Sequence, residues 1–318
     1  MRTPDFWSHR HVFTWLLLPF SWLYFVGMRL HRLICSRQDF DVPVWCIGNL
    51  VAGGGGKTPT VIALAQWLQQ LGYTPHIISR GYGGHYQGVM RVDPTLHSAE
   101  DVGDEPLLLA RTAPCWVSHH RPNAAKKAIA EGANILLLDD GMQNHTIKKD
   151  VQVLAVYGSY GFGNHWLLPA GPLREPLEGG LKRVDVAVII GDDSKGVRDA
   201  LLPHTITVKG KLEIDASSLS GQRVLAFAGI AHPERFFAAI DASGAELVHH
   251  VEFADHHPYS KQECQQLIHS ADRHNAQLIT TEKDYVRLPD ELKEHTLPVP
   301  AKLVIAGLDE LQSLLGKQ

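Results

Sequence analysis

Residues 51–58 are the part of the sequence whose composition most clearly indicates chemistry. They read VAGGGGKT, in which four glycines stand directly before a lysine and a threonine: Gly53, Gly54, Gly55 and Gly56. Because glycine has no Cβ, the backbone N–H groups of such a run can approach phosphate oxygens closely. Lys57 could reach the β- and γ-phosphates of ATP, and the Thr58 hydroxyl could bind Mg²⁺. The segment therefore predicts a phosphate-binding loop.

The residues on either side predict the strand and the helix that such a loop requires. Residues 42–50 (VPVWCIGNL) form a short apolar run typical of a buried strand, and residues 59–72 have helical spacing that stops at Gly72. The strict pattern has glycine at its first position, where this chain has Val51. A glycine-rich turn with an incidental lysine is the alternative, but strand, loop and helix in this order favour the phosphate site.

A second apolar run carries carboxylates that could hold the metal ion. Residues 134–140 read NILLLDD and end in Asp139 and Asp140. In phosphate-loop enzymes an aspartate at the end of such a strand holds Mg²⁺ directly or through water. Strands also end in aspartate for reasons of turn geometry, so the pattern gains its meaning from the upstream loop. Asp139 is the stronger metal candidate, with Asp140 as the second carboxylate.

The N-terminus is apolar and positively charged, unlike the rest of the chain. Residues 12–28 (VFTWLLLPFSWLYFVGM) contain no charged side chain and would form roughly 26 Å of helix, slightly short of a comfortable membrane span. Residues 1–37 contain five arginines against one aspartate, a net charge of +4. Because the whole chain has a net charge of −4, the remaining residues carry −8. Tryptophans and arginines favour the headgroup layer of an anionic membrane surface. We therefore predict a membrane-associating helix.

A cleaved signal peptide and a buried core helix are the alternatives to a membrane anchor at residues 12–28. The signal peptide is rejected, because no small-residue cleavage site follows the run. A buried core helix is compatible with a run of this length. Pro19 would kink a helix here. Whether the anchor dips into the membrane or spans it is left open by the sequence.

Composition bounds the class of protein. A chain of 318 residues with 44% hydrophobic and 20% charged residues fits one large or two ordinary domains. The net charge of −4 disfavours a general nucleic-acid binder, and no obligate protein partner is inferred. The four scattered cysteines form no metal-type or redox pair and suit reduced thiols in the cytosol: Cys35, Cys46, Cys115 and Cys264.

Alternating strand-like and helical stretches predict the fold. The strand-like runs up to about residue 200 indicate an α/β, P-loop NTPase-like domain with a largely parallel sheet and flanking helices; they lie at residues 75–80, 115–120, 134–140, 150–157 and 184–190. Residues 204–214 look like an extended connection, and residues 223–244 begin a smaller α/β unit. We predict an N-terminal helix (1–37), a kinase core (38–203) and a C-terminal domain (204–318) that closes over the site.

Seven segments together resemble the tetraacyldisaccharide 4′-kinases, the lipid A pathway enzymes that phosphorylate the distal sugar of a membrane-embedded disaccharide. The segments occur in the family's order and cover most of the chain: IGNLVAGGGGKTP (47–59), SRGYGG (79–84), VGDEP (102–106), LLLDDGMQN (136–144), LLPAGPLREP (167–176), FADHHPY (253–259) and TTEKDYVRL (280–288). Two departures stand out. Val51 replaces a small polar residue, and Asn144 takes the usual histidine position, with His145 one residue late.

The resemblance implies an ATP- and Mg²⁺-dependent transfer to the 4′-hydroxyl of a membrane-embedded glycolipid at the cytoplasmic face of the bacterial inner membrane. It implies that Asp104 accepts the proton of the sugar hydroxyl, with His256 oriented beside it. Four carboxylates are implied near the metal and phosphates: Glu105, Asp139, Asp140 and Glu175. Contacts to phosphate or substrate are implied for Arg80, Tyr82, Asn49, Gln143 and the candidate catalytic residue Arg174.

Structural and functional alternatives remain for these residues. Asp104, Glu105 and the following proline could simply begin a helix, where acidic residues and proline are favoured. Arg174 could form a surface ion pair, and His256 is one of 19 histidines. A membrane-tethered ATPase or nucleotide switch acting on a protein partner would also fit the loop and the N-terminus, although it needs no acceptor base. A kinase for a soluble metabolite would leave residues 1–37 unexplained.

Overall fold

The computed structural model describes residues 4–9 and 11–316. Arg2 and Arg10, two of the arginines counted in the N-terminal positive charge, lie outside the described residues. Within the described part, the strands form one sheet of nine and one of four.

The nine-stranded sheet carries the phosphate-binding loop. Its strands are β1 Val44–Gly48, β2 Pro75–Ser79, β3 Val89–Arg91, β4 Cys115–Ser118, β5 Ile135–Asp139, β6 Val151–Tyr157, β7 Val186–Ile190, β8 Ile206–Ile214 and β13 Ala301–Ala306. The spatial order is β13-β8-β7-β6-β1-β5-β2-β4-β3. Pairing is parallel from β8 to β4, and the edge strands β3 and β13 are antiparallel to their neighbours. The predicted, largely parallel sheet is confirmed.

Helices cover both faces of this sheet. They are α2 Lys57–Gln70, α3 Ala99–Val102, α4 Asp104–Ala110, α5 Arg121–Ala130, α6 Leu177–Leu181 and α7 Val197–Ala200, with 3₁₀ turns at Asp5–Trp7, Ser217–Leu219 and Leu308–Leu314. Strands β1 and β5 are buried at every residue, as expected for parallel strands covered on two sides. Alternate residues of β1 enter different hydrophobic clusters: Trp45 and Ile47 one, Val44 and Cys46 the other.

The N-terminal run forms one helix, α1, Val12–Ile34, which continues through Pro19. By length and composition it could cross a membrane, and it is the one such helix in the described part of the chain. Only 11% of its most apolar stretch of 18 residues is buried. The alternative of a buried core helix does not fit this exposure.

The four-stranded sheet forms a second, smaller α/β unit. Its strands are parallel in the order β10-β9-β11-β12, with bounds β9 Arg223–Ala228, β10 Glu246–Glu252, β11 Gln277–Thr281 and β12 Thr296–Val299. Its helices are α8 Pro233–Ala242, α9 Lys261–His274, α10 Glu282–Tyr285 and α11 Asp290–Lys293.

The two sheets divide the chain at other points than residue 204. The interpretation of residues 204–214 as a connecting segment was wrong, because β8 pairs with β7 on one side and with β13 on the other. The sequence does indicate a strand here, because apolar or small residues alternate with polar ones along residues 206–214 (ITVKGKLEI). After the small sheet, residues 301–306 return to the large one.

Candidate functional site

The glycine loop joins β1 to α2 with the backbone shape of a phosphate cradle. Gly53 has a φ of 103° and Gly56 one of 74°, both in the region that favours glycine. Helix α2 begins at Lys57, directly after Gly56. The free N–H groups and the dipole at the start of this helix favour an anion, so Lys57 and Thr58 lie where phosphate oxygens would be bound.

Close packing explains the other glycines of the loop. A Cβ on Gly55 would lie 2.0 Å from Asn49 Nδ2, and one on Gly54 would lie 2.7 Å from the Cβ of Ala231. Asn49 is buried, and its Oδ1 accepts a hydrogen bond from the N–H of Val51 at 3.1 Å. Asn49 therefore shapes the loop, and Val51 is a core residue with 3% of its surface exposed. An aliphatic side chain suits position 51 because it packs into the core.

The predicted acidic strand lies directly beside the loop. Strand β5 pairs with β1 so that Asp139 stands opposite Ile47. Asp139 is 1% exposed; its Oδ2 accepts a hydrogen bond from Ser79 Oγ at 2.9 Å, whereas its Oδ1 has no partner among the described residues. Burial, together with the negative charges of Glu105 and Asp140, raises the pKa of Asp139 to about 7.

The neighbouring carboxylate, Asp140, has a lowered pKa. Arg174 Nη1 donates to both oxygens of Asp140 at 2.8 and 2.9 Å, and Lys57 Nζ lies 3.6 Å from Oδ2. Burial alone would raise the pKa of Asp140, but Lys57 and Arg174 outweigh it and lower the pKa to about 2. The buried Arg121, not singled out from the sequence, donates to the backbone carbonyls of Asp139 and Asp140 at 2.8 and 3.0 Å.

The donor set fits a hard divalent cation shared with a nucleotide. The unpartnered Oδ1 of Asp139 is a carboxylate oxygen of the kind that Mg²⁺ prefers, and Glu105 is close enough to raise the pKa of Asp139. Across residues 4–9 and 11–316, His, Cys, Asp and Glu form no cluster of three or more that could hold a metal alone. Phosphate oxygens and water would therefore complete the shell, as is usual for Mg²⁺.

Glu175 and Gln143 form a supporting pair. Gln143 Nε2 donates to the backbone carbonyl of Asn49 at 3.1 Å and to Glu175 Oε1 at 2.9 Å. The other oxygen of Glu175 is paired with Arg183, and Glu175 is 8% exposed. Gln143 lines the main cavity and Glu175 does not. The structure thus places Glu175 next to the site with both carboxylate oxygens occupied.

Asp104 and His256, 152 positions apart, meet where the two units face each other. Asp104 opens α4 and is 6% exposed, and His256 follows β10 with a φ of 57°. Since a carboxylate only accepts, His256 Nδ1 donates to Asp104 Oδ2 at 2.9 Å, and Arg287 Nη1 donates to the same oxygen at 3.0 Å. The N–H of Glu105 donates to Oδ1 at 2.9 Å. Burial opposes ionisation, but His256, Lys283 and Arg287 lower the pKa of Asp104 to about 2.

Lys283 and Arg287 are site residues that the sequence reasoning missed. Lys283 Nζ lies 3.2 Å from His256 Nε2, and 3.5 Å from both Glu105 Oε1 and Asp255 Oδ1. Burial would lower the pKa of Lys283, but the carboxylates of Glu105 and Asp255 outweigh it and raise that pKa. Both cations lie in the TTEKDYVRL segment, which contributes to the family resemblance without pointing to a role for either residue.

One cavity of about 850 Å³ connects these groups. Its wall includes the loop residues 53–58 together with Arg80, Tyr82, Glu105, Arg121, Asp139, Asp140, Gln143, Arg174, His256 and Lys283. Tyr82 is 76% exposed and meets the His256 ring edge-on, 6.2 Å between centroids. Asn49, Asp104 and Glu175 do not line this cavity. The wall also reaches His31, near the end of α1.

Asn144, at the position where the family commonly has histidine, also lines the cavity. Its Oδ1 accepts hydrogen bonds from the N–H and the hydroxyl of Thr146, at 3.2 and 2.9 Å. Burial, with Lys149 and other cations nearby, lowers the pKa of His145 to about 4. Asn144 therefore holds the turn that leaves β5, and His145 is a neutral side chain at physiological pH.

Comparison with known proteins points to one family. The model of the tetraacyldisaccharide-1-P 4′-kinase family matches residues 13–318. A tetraacyldisaccharide 4′-kinase of Rhodospirillum centenum is 43% identical over 325 residues, which cover 99% of this chain and 96% of the relative. The corresponding protein of Paramagnetospirillum magneticum is 44% identical over 298 residues, covering 92% and 91%.

The structural comparison gives the same result. The crystal structure of LpxK from Aquifex aeolicus, described as a complex with ATP, superposes with a TM-score of 0.77 at 25% sequence identity. The match covers 95% of this chain and 98% of that one. With a family model over nearly the whole length and relatives above 40% identity, this chain belongs to the tetraacyldisaccharide 4′-kinase family.

Proposed function

We propose that this protein transfers the γ-phosphate of ATP to the 4′-hydroxyl of a tetraacyldisaccharide 1-phosphate, as its family membership supports. The observation that carries the proposal is the shared cavity. The phosphate loop with Lys57 and the Asp104–His256 pair, represented in the wall by His256, open onto the same space. A phosphoryl donor and an acceptor hydroxyl bound there would meet without leaving the protein.

The loop side of the cavity binds and orients the nucleotide. N–H groups of residues 53–56 and the Lys57 ammonium would hold the phosphates, and Arg174 adds positive charge beside Asp140. Thr58 and Asp139, with Glu105, would hold Mg²⁺, which when bound neutralises charge on the transferring phosphoryl group. Glu175 supports this side through Gln143 and Arg183.

The opposite side of the cavity handles the proton of the acceptor hydroxyl. In the sequence-based expectation Asp104 itself took this proton, but it is buried, hydrogen-bonded at both oxygens and, with a pKa of about 2, a weak base. His256 lines the cavity, and in the tautomer that donates from Nδ1 to Asp104 its Nε2 carries a lone pair, which would exchange its contact with Lys283 Nζ for the substrate hydroxyl. We therefore place proton acceptance at His256 Nε2, with Asp104 orienting the ring and stabilising the imidazolium.

Helix α1 supports attachment to a membrane. The fully buried residues of α1 are polar, Thr14 and Ser21, whereas most of its apolar side chains are exposed: Val12, Phe13, Trp15, Leu16, Phe20, Trp22, Leu23, Leu30, Leu33 and Ile34. This is the reverse of a helix packed on a soluble core. Because the kinase uses ATP, we assign the surface to the cytoplasmic face of the inner membrane. The cavity reaches His31, so a glycolipid lying in that membrane could enter along α1.

The proposed division into a helix, a core and a closing domain would allow domain closure to assemble the Asp104–His256 pair. Asp104 belongs to the large-sheet unit and His256 to the small one. Movement of the units relative to each other would assemble or break the pair, which would couple substrate enclosure to catalysis. A nucleotide switch needs no such pair, so that alternative is not favoured.

The test is direct. Purified protein is incubated with γ-labelled ATP and Mg²⁺, with the tetraacyldisaccharide 1-phosphate, with its deacylated form, or with neither. Label in the acylated lipid, absent in a Lys57→Ala control, supports the kinase. ATP hydrolysis without labelled lipid would instead support the nucleotide switch.

A further inference from the structure

Residues 164–175 form a segment that lies between the membrane helix and the phosphate loop. The segment is irregular, and it ends in Arg174 and Glu175, which belong to the candidate active site. Its backbone polar groups are satisfied on one side by the N-terminal region and on the other by the loop. What holds this segment therefore also holds part of the active site.

The N-terminal side supplies side-chain hydrogen bonds. Ser21, which is 4% exposed, donates from Oγ to the carbonyl of Leu167 at 2.9 Å and accepts from the N–H of Ala170 at 3.1 Å. The Tyr24 hydroxyl donates to the carbonyl of Arg174 at 2.9 Å. Trp7 Nε1 contributes a further bond, to the carbonyl of Pro169 at 3.0 Å.

The opposite side of the segment pairs with the phosphate loop itself. The N–H of Arg174 donates to the carbonyl of Leu50 at 2.8 Å, and the N–H of Ala52 donates to the carbonyl of Pro172 at 2.8 Å. Val51 and Leu173 form an antiparallel bridge between these two bonds. A single layer of backbone thus separates α1 from the residues that immediately precede Gly53.

A second connection runs through the Arg174 side chain. Its guanidinium holds both oxygens of Asp140, and Asp140 in turn lies 3.6 Å from Lys57 Nζ. Backbone and side chain of one residue therefore join Tyr24 to the cation that would contact the transferring phosphate. The N–H of Ala170 is buried, so losing the Ser21 hydroxyl would leave it without a partner, whereas the exposed Tyr24 bond fixes the position of the Arg174 carbonyl.

We propose that Ser21 and Tyr24 are positioning residues for phosphoryl transfer, through which α1 holds Arg174 and the phosphate loop in working geometry. The inference rests on the proposed function of the site and goes beyond it, since it makes the membrane helix part of the catalytic unit as well as an anchor. Losing either hydroxyl should reduce turnover although neither residue contacts the nucleotide.

The kinetic test uses hydroxyl-removing variants of the intact chain in mixed micelles. We expect Tyr24→Phe to lower kcat by roughly 3- to 10-fold and Ser21→Ala by at least as much, with KM for the lipid nearly unchanged. Thr14→Val is the matched control. Thr14 is buried on the same side of α1, but its hydroxyl accepts from the N–H of His11 within the N-terminal cap of α1. Unchanged kcat in both Ser21→Ala and Tyr24→Phe, or an equal loss in Thr14→Val, would overturn the proposal.

Hydrogen exchange of backbone amides tests the coupling without any need for kinase activity. Peptides covering residues 49–58 should exchange faster in Ser21→Ala and Tyr24→Phe than in the wild type, and as slowly as wild type in Thr14→Val. A helix that serves only as an anchor would leave these peptides unchanged, which would contradict the inference. If the wild-type protein labels no lipid, the proposed function is wrong, and the exchange result decides the coupling by itself.

Discussion

Asp139 and Asp140 are adjacent acidic residues whose pKa values are shifted in opposite directions, up for Asp139 and down for Asp140. Asp140 is kept ionised by Arg174 and Lys57, whereas Asp139 has one hydroxyl donor, Ser79, and otherwise faces burial and negative charge. A cation bound at Asp139 would reverse this balance, because it favours the ionised form. If Asp139 is the metal ligand proposed above, its raised pKa is a cost to stability that the metal-free protein bears.

The raised pKa of Asp139 predicts a pH dependence of stability. This pKa is about 7 in the folded state and 3.8 in the unfolded reference, so the folded state binds the proton more tightly. Stability from this group is then highest at low pH and falls as pH rises through about 7. Between pH 5 and pH 8 the loss should be about 2–3 kcal/mol in metal-free protein. Asp139→Asn should remove this loss while abolishing phosphoryl transfer.

The measurement is urea unfolding of wild type and Asp139→Asn at pH 5 and pH 8, with a chelator and without nucleotide. The variant should be the more stable of the two at pH 8, and the gap should narrow at pH 5. The same pH dependence in both proteins would contradict the raised pKa assigned to the buried carboxyl of Asp139.

Lys57→Ala should reduce phosphoryl transfer by more than about 100-fold, because it removes the cation on the transferring phosphate. The fold should survive, since Asp140 keeps both hydrogen bonds from Arg174. Lys148→Ala is the control, as Lys148 forms only an exposed ion pair with Asp39 at 2.7 Å. Initial rates at saturating Mg-ATP decide the matter, and near-normal turnover in Lys57→Ala would rule out the phosphate-loop assignment.

At the scale of elements, α1 is unusual in the direction of its apolar side. Leu16 and Leu23 are 64% and 60% exposed, while Ser21 lies against the protein. A helix in this orientation leaves a broad apolar surface in water unless a membrane covers it. On the inner side, Ser21 and Tyr24 form hydrogen bonds with the backbone of residues 164–175.

Introducing charge on the outward side should detach the protein from membranes without unfolding it. We expect the double variant Leu16→Glu, Leu23→Glu to lose most co-sedimentation with anionic phospholipid vesicles, because burying a carboxylate in the apolar layer is unfavourable. Its unfolding free energy should stay within about 0.5 kcal/mol of wild type, since both positions are exposed.

The control is Leu96→Glu, which introduces one glutamate at a position that is 76% exposed outside α1, to be compared with Leu16→Glu and Leu23→Glu singly. This variant should sediment with vesicles like the wild type. If the double variant still pelleted fully, the membrane contact would have to lie elsewhere on the protein.

At the scale of the whole molecule, the proposed catalytic pair joins two sheets. Asp104 begins a helix packed on the large sheet, and His256 follows a strand of the small one. Arg287, from the small-sheet unit, bonds to the same carboxylate oxygen as His256. The pair therefore exists only while the two units are correctly docked.

A double-mutant cycle should show that the pair acts as a unit. Each of Asp104→Ala and His256→Ala should lower kcat by roughly 10²- to 10⁴-fold, and the double variant should cost little more than Asp104→Ala alone. Mg-ATP affinity, measured by equilibrium binding, should be retained in all three variants, because neither residue belongs to the phosphate cradle.

His257→Ala is the internal control. His257 pairs with Glu263 at 3.0 Å and stacks on Phe253 at 4.8 Å between ring centroids. Its variant should be nearly as active as the wild type. If the losses at Asp104 and His256 multiplied, or if His257→Ala lost more activity than His256→Ala, Asp104 and His256 would not act as a unit.

Much of this site could be predicted from sequence because its signals are local. The glycines before Lys57, the buried run that becomes β1 and the apolar run that ends in Asp139 are patterns of neighbouring residues, and parallel strands bring their carboxyl ends to one edge. The overall α/β class follows from the same periodicities. The strand at residues 206–214 had an equally clear alternation, and reading it as a connection was an error of interpretation.

Other features depend on contacts between distant residues, which one sequence does not reveal. Lys283 is a charged residue among many until the fold places its ammonium 3.2 Å from His256. The different pKa values of Asp139 and Asp140 arise from which carboxylate Arg174 reaches. The sequence by itself determined that the chain has a phosphate loop, acidic strand and apolar helix. Only tertiary packing decided that the hydroxyls of Ser21 and Tyr24 bond to the segment that shapes the loop, because their partners are backbone groups about 150 residues away along the chain.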